Sequence, residues 1–201
     1  MTPEGGVPSV VRARTRLARS ERRNQIVDAA AYVLRTREPA DVTFEEIADA
    51  AGVSRQTVYA HFKSREALIA VVINAERAAH LAMLIDARLE RVPPVDAVRG
   101  FLDISWRLVD RFPLLLDPAL ARTPDPEGED PHVRVAVVLE RIIRRGQRAG
   151  DFDRTLPVGW LAAATFGLGH TAAELVASGT LDLERAATLL EASVMRLYGV
   201  A

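Results

Sequence analysis

Cysteine is absent from this 201-residue chain, which excludes disulfides, thiolate metal sites and cysteine nucleophiles. Aromatic residues make up only 5%, and lysine occurs once against 25 arginines. His61, His80, His132 and His170 stand apart, with no H-E-x-x-H pair, and neither a P-loop nor a G-x-G-x-x-G turn after a strand occurs. Local enzymatic signatures are therefore missing, and the chain reads as a non-enzyme. The first residues lack the apolar core of a signal peptide, which suggests a cytoplasmic protein. Hydrophobic residues nevertheless reach 49%, more than a disordered chain carries. The length suffices for one large domain or a small one joined to a larger one.

A net charge of −1 conceals an asymmetry: residues 1–65 sum to +3 and the remainder to −4. The positive charge concentrates in Arg12, Arg14, Arg16, Arg19, Arg22 and Arg23, opposed in the first 23 residues only by Glu4 and Glu21. Residues 1–19 read as a flexible basic arm, able to reach phosphates or the minor groove, or simply solvated.

The stretch from Thr43 to Leu68 carries the most information. Thr43 with Glu46 has the form of a capping box, so a helix should start there and bury Phe44, Ile47, Ala48 and Ala51. Gly52 should end it in the left-handed conformation, which only glycine adopts without a Cβ penalty. Ser54 then caps a second short helix whose Val58 points inward, leaving Arg55, Gln56, Thr57, Tyr59 and His61 outward. Arg and Gln can bond base edges, while Thr, Tyr and His suit phosphate oxygens. Two short helices about a tight turn form a helix-turn-helix.

The run AGVSRQTVYAHFKSREAL, within a match extending from about Glu21 to Ile73, resembles the DNA-binding domain of the TetR family of transcriptional regulators. The T-x-Y-x-H/Y-F pattern is present as Thr57, Tyr59, His61 and Phe62. Gln56 departs from it, since many members carry Gly or Pro there, so the operator sequence does not carry over. The resemblance implies base reading by Arg55 and Gln56 and phosphate contacts from Thr43, Thr57, Tyr59, His61 and Arg65. Ser54 and Lys63 complete the DNA-binding set. It also implies a homodimer on a palindromic double-stranded operator and a small-molecule effector; no cofactor, metal or membrane is expected.

Hydrophobic periodicity predicts an all-α fold of about nine helices. The first runs from about Ser20 to Arg37, and the fourth from after Ser64 to about Arg91. Pro93 and Pro94 break the chain there. A helix follows over Val95–Phe112, then a short one over Pro113–Ala121 and an acidic, proline-rich loop over Arg122–Pro131. Helices over His132–Ala149 and Pro157–Ser178, and one capped by Asp182 and reaching Tyr198, close the chain. The expected division is an arm (1–19), a helix-turn-helix domain (20–66), a connecting helix (67–92) and a ligand-binding and dimerisation domain (93–201).

No charge occurs between Arg154 and Glu174, a length formally sufficient for a membrane span. The Gly, Thr and Ala content argues instead for a helix buried on both sides, one toward its own domain and the other toward a second subunit. A monomer core would give the same periodicity. Ala163, Gly167, Ala172, Leu190, Val194 and Leu197 are the candidate interface, and the resemblance implies a four-helix bundle made of the last two helices of each subunit.

Phe101, Trp106, Phe112, Leu116, Trp160, Phe166 and His170 suffice to line an apolar pocket with a polar handle, or to make an ordinary core. His170 and Glu174 have a spacing compatible with two metal ligands, but no third is evident. The implied function is a ligand-responsive DNA-binding regulator that acts as a repressor. A ligand-independent DNA-organising protein and a helical small-molecule binding protein are the alternatives.

Overall fold

The computed structural model describes residues 9–37, 40–112 and 131–200, and among these every regular element is helical. In chain order they are α1 (Ser9–Leu34), α2 (Phe44–Ala51), α3 (Arg55–His61), α4 (Arg65–Asp86), a 3₁₀ turn (Leu89–Arg91), α5 (Pro94–Arg111), α6 (Pro131–Ala149), α7 (Val158–Ala177) and α8 (Leu183–Leu197). The chain forms two compact units that divide between Val72 and Ile73, within α4. The division does not fall at Pro93–Pro94 because Leu68, Ile69 and Val72 are already buried ahead of it, while Leu81 and Leu84 join the C-terminal core.

The N-terminal unit packs α1 against α2 and α2 against α3. Ile26, Ala30, Ile47, Val58, Leu68 and Val72 are fully buried. Gln25 Nε2 donates to the Ala51 carbonyl at 2.7 Å, tying α1 to the end of α2. Helix α1 begins at Ser9, so the expected flexible arm is helical over much of its length. No Gly or Pro interrupts residues 9–34, and the stretch is rich in the good helix formers Arg, Ala and Leu. Ser20, expected to start the helix, is interior to it.

In the C-terminal unit Leu84, Phe101, Leu139, Ile143, Leu161 and Val194 build the core. Tyr198 is fully buried, its hydroxyl 2.8 Å from Thr165 Oγ1, and burial pushes its pKa up to about 12. Gly146 in α6 carries the Phe152 ring directly above it, where a Cβ would lie 2.1 Å from the nearest ring atom. Helix α4 ends five residues before the expected Arg91: Arg88 takes a left-handed conformation, φ 48°, and the 3₁₀ turn follows. Arg145 of α6 closes this end, donating to the carbonyls of Leu89 at 2.9 Å, Val92 at 2.7 Å and Glu90.

The short helix expected over 113–121, with Leu116, and the loop over 122–131 fall outside the described residues up to Pro131, where α6 begins. By length and composition alone, residues 65–91 rather than 157–178 include a window apolar enough to cross a membrane. Half of that window is buried within the fold, and the helix carries two buried charged residues, Glu76 and Arg77.

Candidate nucleic-acid interface and ligand cavity

The helix-turn-helix is held by local polar bonds that its sequence dictates. Thr43 Oγ1 accepts from the Glu46 amide at 3.2 Å, and Glu46 Oε2 accepts from the Thr43 amide at 3.0 Å. The Thr43 amide and the Thr43 hydroxyl, which donates to the same Oε2 at 3.1 Å, hold the Glu46 carboxyl below its usual pKa, helped by the charge of Arg37. Gly52 has φ 63°, ψ 35°, and turns the chain so that the Val53 amide reaches the Ala48 carbonyl at 2.9 Å. Ser54 Oγ accepts from the Thr57 amide at 3.1 Å and lies 2.8 Å from Thr57 Oγ1. Seven residues are too few for a helix to persist alone. Helix α3 therefore depends on this cap and on Val58, its one fully buried residue.

The outward face of α3 consists of Arg55, Gln56, Tyr59 and Ala60, all exposed, with Thr57 and His61 half-buried. Tyr59 packs its ring edge-on against Phe44 with centroids 4.8 Å apart, and its hydroxyl accepts from Arg55 Nη2 at 3.3 Å. Arg55 Nη1 pairs with Glu45. Lys63 is exposed, whereas Arg65 Nη1 donates to the Ala40 carbonyl at 2.6 Å and helps to hold the loop before α2. Partial burial, then the charges of Arg19, Arg23 and Arg22, push the His61 pKa down. Arg23 also stacks over the Phe62 ring, 5.2 Å from its centroid. Basic residues of α1 thus lie near the end of α3. Thr43, Ser54, Thr57 and Arg65 all spend side-chain bonds on the fold, while Gln56 and Lys63 face solvent.

The C-terminal unit encloses a cavity of about 120 Å³ between α4, α5, α6, α7 and α8. Of the candidate pocket residues, Phe101, Trp106, Phe166 and His170 line it. Trp106 is fixed by its indole N–H, which donates to the Leu183 carbonyl at 3.2 Å. Phe112 is fully buried but outside the lining, and Trp160 is 61% exposed on α7, turned away from it. Sequence reasoning missed the polar lining residues Arg77, His80, Ser105 and Thr165. His80 Nε2 lies 3.1 Å from Ser105 Oγ. The signal was available, because Glu76, Arg77 and His80 interrupt an otherwise apolar helix. Glu76 is held by Arg111 of α5 at 2.6 Å.

Three candidate interface residues face their own domain. Ala172, Leu190 and Val194 are buried in the core, and Leu190 lines the cavity; Leu197 is half-buried against the same core. Ala172, Leu190 and Val194 are thus spent on the core of their own unit, while Leu197 keeps part of its surface. Ala163 and Gly167 are exposed, in a stripe with Trp160 and Thr171 at helical spacing. His170 is half-buried and Glu174 exposed, and no cluster of three His, Cys, Asp or Glu occurs among the described residues.

An all-helical chain whose N-terminal unit presents a capped, solvent-facing second helix beside basic side chains defines the class of helix-turn-helix DNA-binding proteins. Residues 26–72 match the family described as bacterial regulatory proteins, tetR family. The HTH-type transcriptional regulator Rv1255c of Mycobacterium tuberculosis is 44% identical over 106 residues, covering 53% of this chain and 52% of that protein. The matched stretch thus spans about half the length of that relative. FadR from Bacillus subtilis, solved with stearoyl-CoA, superposes with a TM-score of 0.66 at 16% identity, covering 85% of this chain and 96% of that one. RolR, solved with resorcinol, gives 0.63 at 20%, covering 92% and 90%. The family match covers the helix-turn-helix of the N-terminal unit, and the superpositions show that the chain shares the fold of these regulators.

Proposed function

We propose that the protein is a ligand-responsive repressor of the cytoplasm that binds a palindromic operator as a homodimer and is released by a small, mainly apolar effector. The exposed face of α3 carries this reading: Arg55, Gln56 and Tyr59 project from a helix fixed by Val58 and Ser54, beside Arg19, Arg22 and Arg23. One seven-residue helix touches few bases. Two copies about a two-fold axis read a palindrome, with recognition helices about 34 Å or a multiple of it apart. The uncharged stripe Trp160, Ala163, Gly167 and Thr171 supports α7 as the dimer face.

The cavity supports a small effector. About 120 Å³ is close to the roughly 150 Å³ of an apolar cavity that admits benzene. A single-ring compound of the scale of RolR's resorcinol fits better than an acyl chain such as that of FadR's stearoyl-CoA. His80 and Ser105 give it a polar handle, and Phe101, Trp106 and Phe166 its apolar walls. Arg77 and His80 belong to α4, so filling the cavity bears on that helix. A coupling of about 1 to 3 kcal/mol would weaken operator binding some 5- to 150-fold.

The test is to titrate duplexes from the DNA flanking the gene against the wild-type chain and Arg55→Ala, then repeat with single-ring compounds shown by calorimetry to bind. Arg55→Ala should cost about 1 to 3 kcal/mol and relax preference at one base pair. Compounds that bind but leave DNA affinity unchanged favour a ligand-independent DNA-organising protein. Compound binding with no duplex bound at any salt concentration favours a small-molecule binding protein.

A further inference from the structure

An acidic side chain beside a DNA-reading arginine needs a reason, because it repels phosphates. Glu45 is such a residue. It lies in the first turn of α2, where a carboxylate favours the helix N-terminus, but Glu46 already serves that end through the capping box. Glu45 instead reaches across the turn to Arg55 Nη1. Nη2 of the same guanidinium donates to Tyr59 at 3.3 Å, and its carbon sits 5.4 Å from the Tyr59 ring centroid. That ring rests edge-on against Phe44, which is buried. The guanidinium is therefore held on a support that ends in the domain core, although both Arg55 and Glu45 are more than half exposed. An exposed arginine otherwise loses side-chain entropy when it is ordered on a base. Of its five N–H donors, Glu45 and Tyr59 use two, which leaves enough for a bidentate contact with guanine O6 and N7.

We propose that Glu45 is a positioning residue for base selection, holding the Arg55 guanidinium in one orientation for a guanine edge while weakening contact with phosphates of any sequence. The inference rests on α3 being the recognition helix. Glu45 lowers affinity for every duplex and raises the ratio between the right base and a wrong one.

The experiment uses the full chain, wild type and Glu45→Gln, against a library of duplexes with randomised half-sites. Anisotropy titrations follow on the enriched duplex and its single-base variants. Because Glu45 is exposed, an unchanged melting temperature should accompany the substitution. The Gln variant is expected to bind unselected duplex more tightly and to lose discrimination at one base pair by about 5-fold or more. Tighter binding to all duplexes with every base ratio unchanged makes Glu45 a mere repulsive charge and overturns the inference, as does wild-type behaviour throughout. A wild-type chain that enriches no sequence overturns the recognition-helix reading, and this inference with it.

Discussion

The two units of this protein are stabilised by different means, and the difference governs what each can do. In the N-terminal unit, short helices are fixed by polar caps at defined positions, with Thr43, Gly52 and Ser54 each serving a backbone requirement within four residues. In the C-terminal unit long helices are fixed by apolar packing, and the polar groups of Arg77, His80 and Ser105 gather around a cavity instead of at helix ends. A capped motif gives one rigid surface suited to a repetitive partner such as duplex DNA. A packed bundle around a void tolerates changes in its lining, and so suits ligand variety.

The sharpest probe of this contrast is Gly167→Arg. Gly167 is exposed and nothing lies within 4 Å of an added Cβ, so one chain accommodates the side chain. If α7 is the subunit face, burying the unpaired charge there costs several kcal/mol and the dimer dissociates with helicity intact. Ala172→Arg, by contrast, places the charge in the core and should unfold the C-terminal unit. Sedimentation and circular dichroism separate the two, and an unchanged dimer for Gly167→Arg removes α7 from the interface.

Gly146→Ala comes next. A methyl group 2.1 Å from the Phe152 ring forces repacking against Tyr198, whose ring centroid is 5.1 Å from that of Phe152. Overpacking of this kind costs about 1 to 3 kcal/mol. It outweighs the roughly 0.5 to 1 kcal/mol that alanine gains over glycine inside a helix. The C-terminal unit should melt earlier, and a rise in its melting temperature would show that the Phe152 ring moves aside freely. Thr43→Ala is the counterpart on the other side of the comparison, with a cost of about 1 kcal/mol from the lost cap. Hydrogen exchange should accelerate in α2 and leave α6 unchanged.

The smallest expected effect is a pH dependence. His61 has its folded pKa below the ordinary 6.5, first through burial and then through Arg19, Arg23 and Arg22. The unfolded chain therefore takes up the proton first as pH falls. Stability is fully present above pH 6.5 and declines below it, down to the folded pKa. His61→Gln should flatten that part of the melting-temperature profile, and an unaltered slope would assign the dependence to other groups.

What the sequence disclosed follows the same division. Capping residues act within a few positions, so Thr43, Gly52, Ser54 and Asp182 announce their helices directly; Asp182 Oδ1 accepts from the Arg185 amide at 2.7 Å. The start of α1 was not legible because the arginine-rich composition of residues 10–23 suits a solvated arm as well as a helix. Ala172, Leu190 and Val194 misled for a different reason: periodicity identifies an apolar helix face, but not whether it meets its own chain or another. His80 and Ser105 lie 25 residues apart, and only the packing of α4 on α5 brings them together.

The bonds from Arg145 give α4 a fixed end. The carbonyls of Leu89, Glu90 and Val92, in and just after the turn that follows α4, hang from a side chain of α6, so this end of α4 cannot shift without dragging α6 or breaking those bonds. A compound pressing on Arg77 and His80 from the cavity would then turn α4 like a door on its hinge, with least travel at Leu89 and more toward Ile73. Amide exchange along α4, measured with and without a bound compound, would read that gradient, and equal changes at both ends would mean that the hinge does not hold.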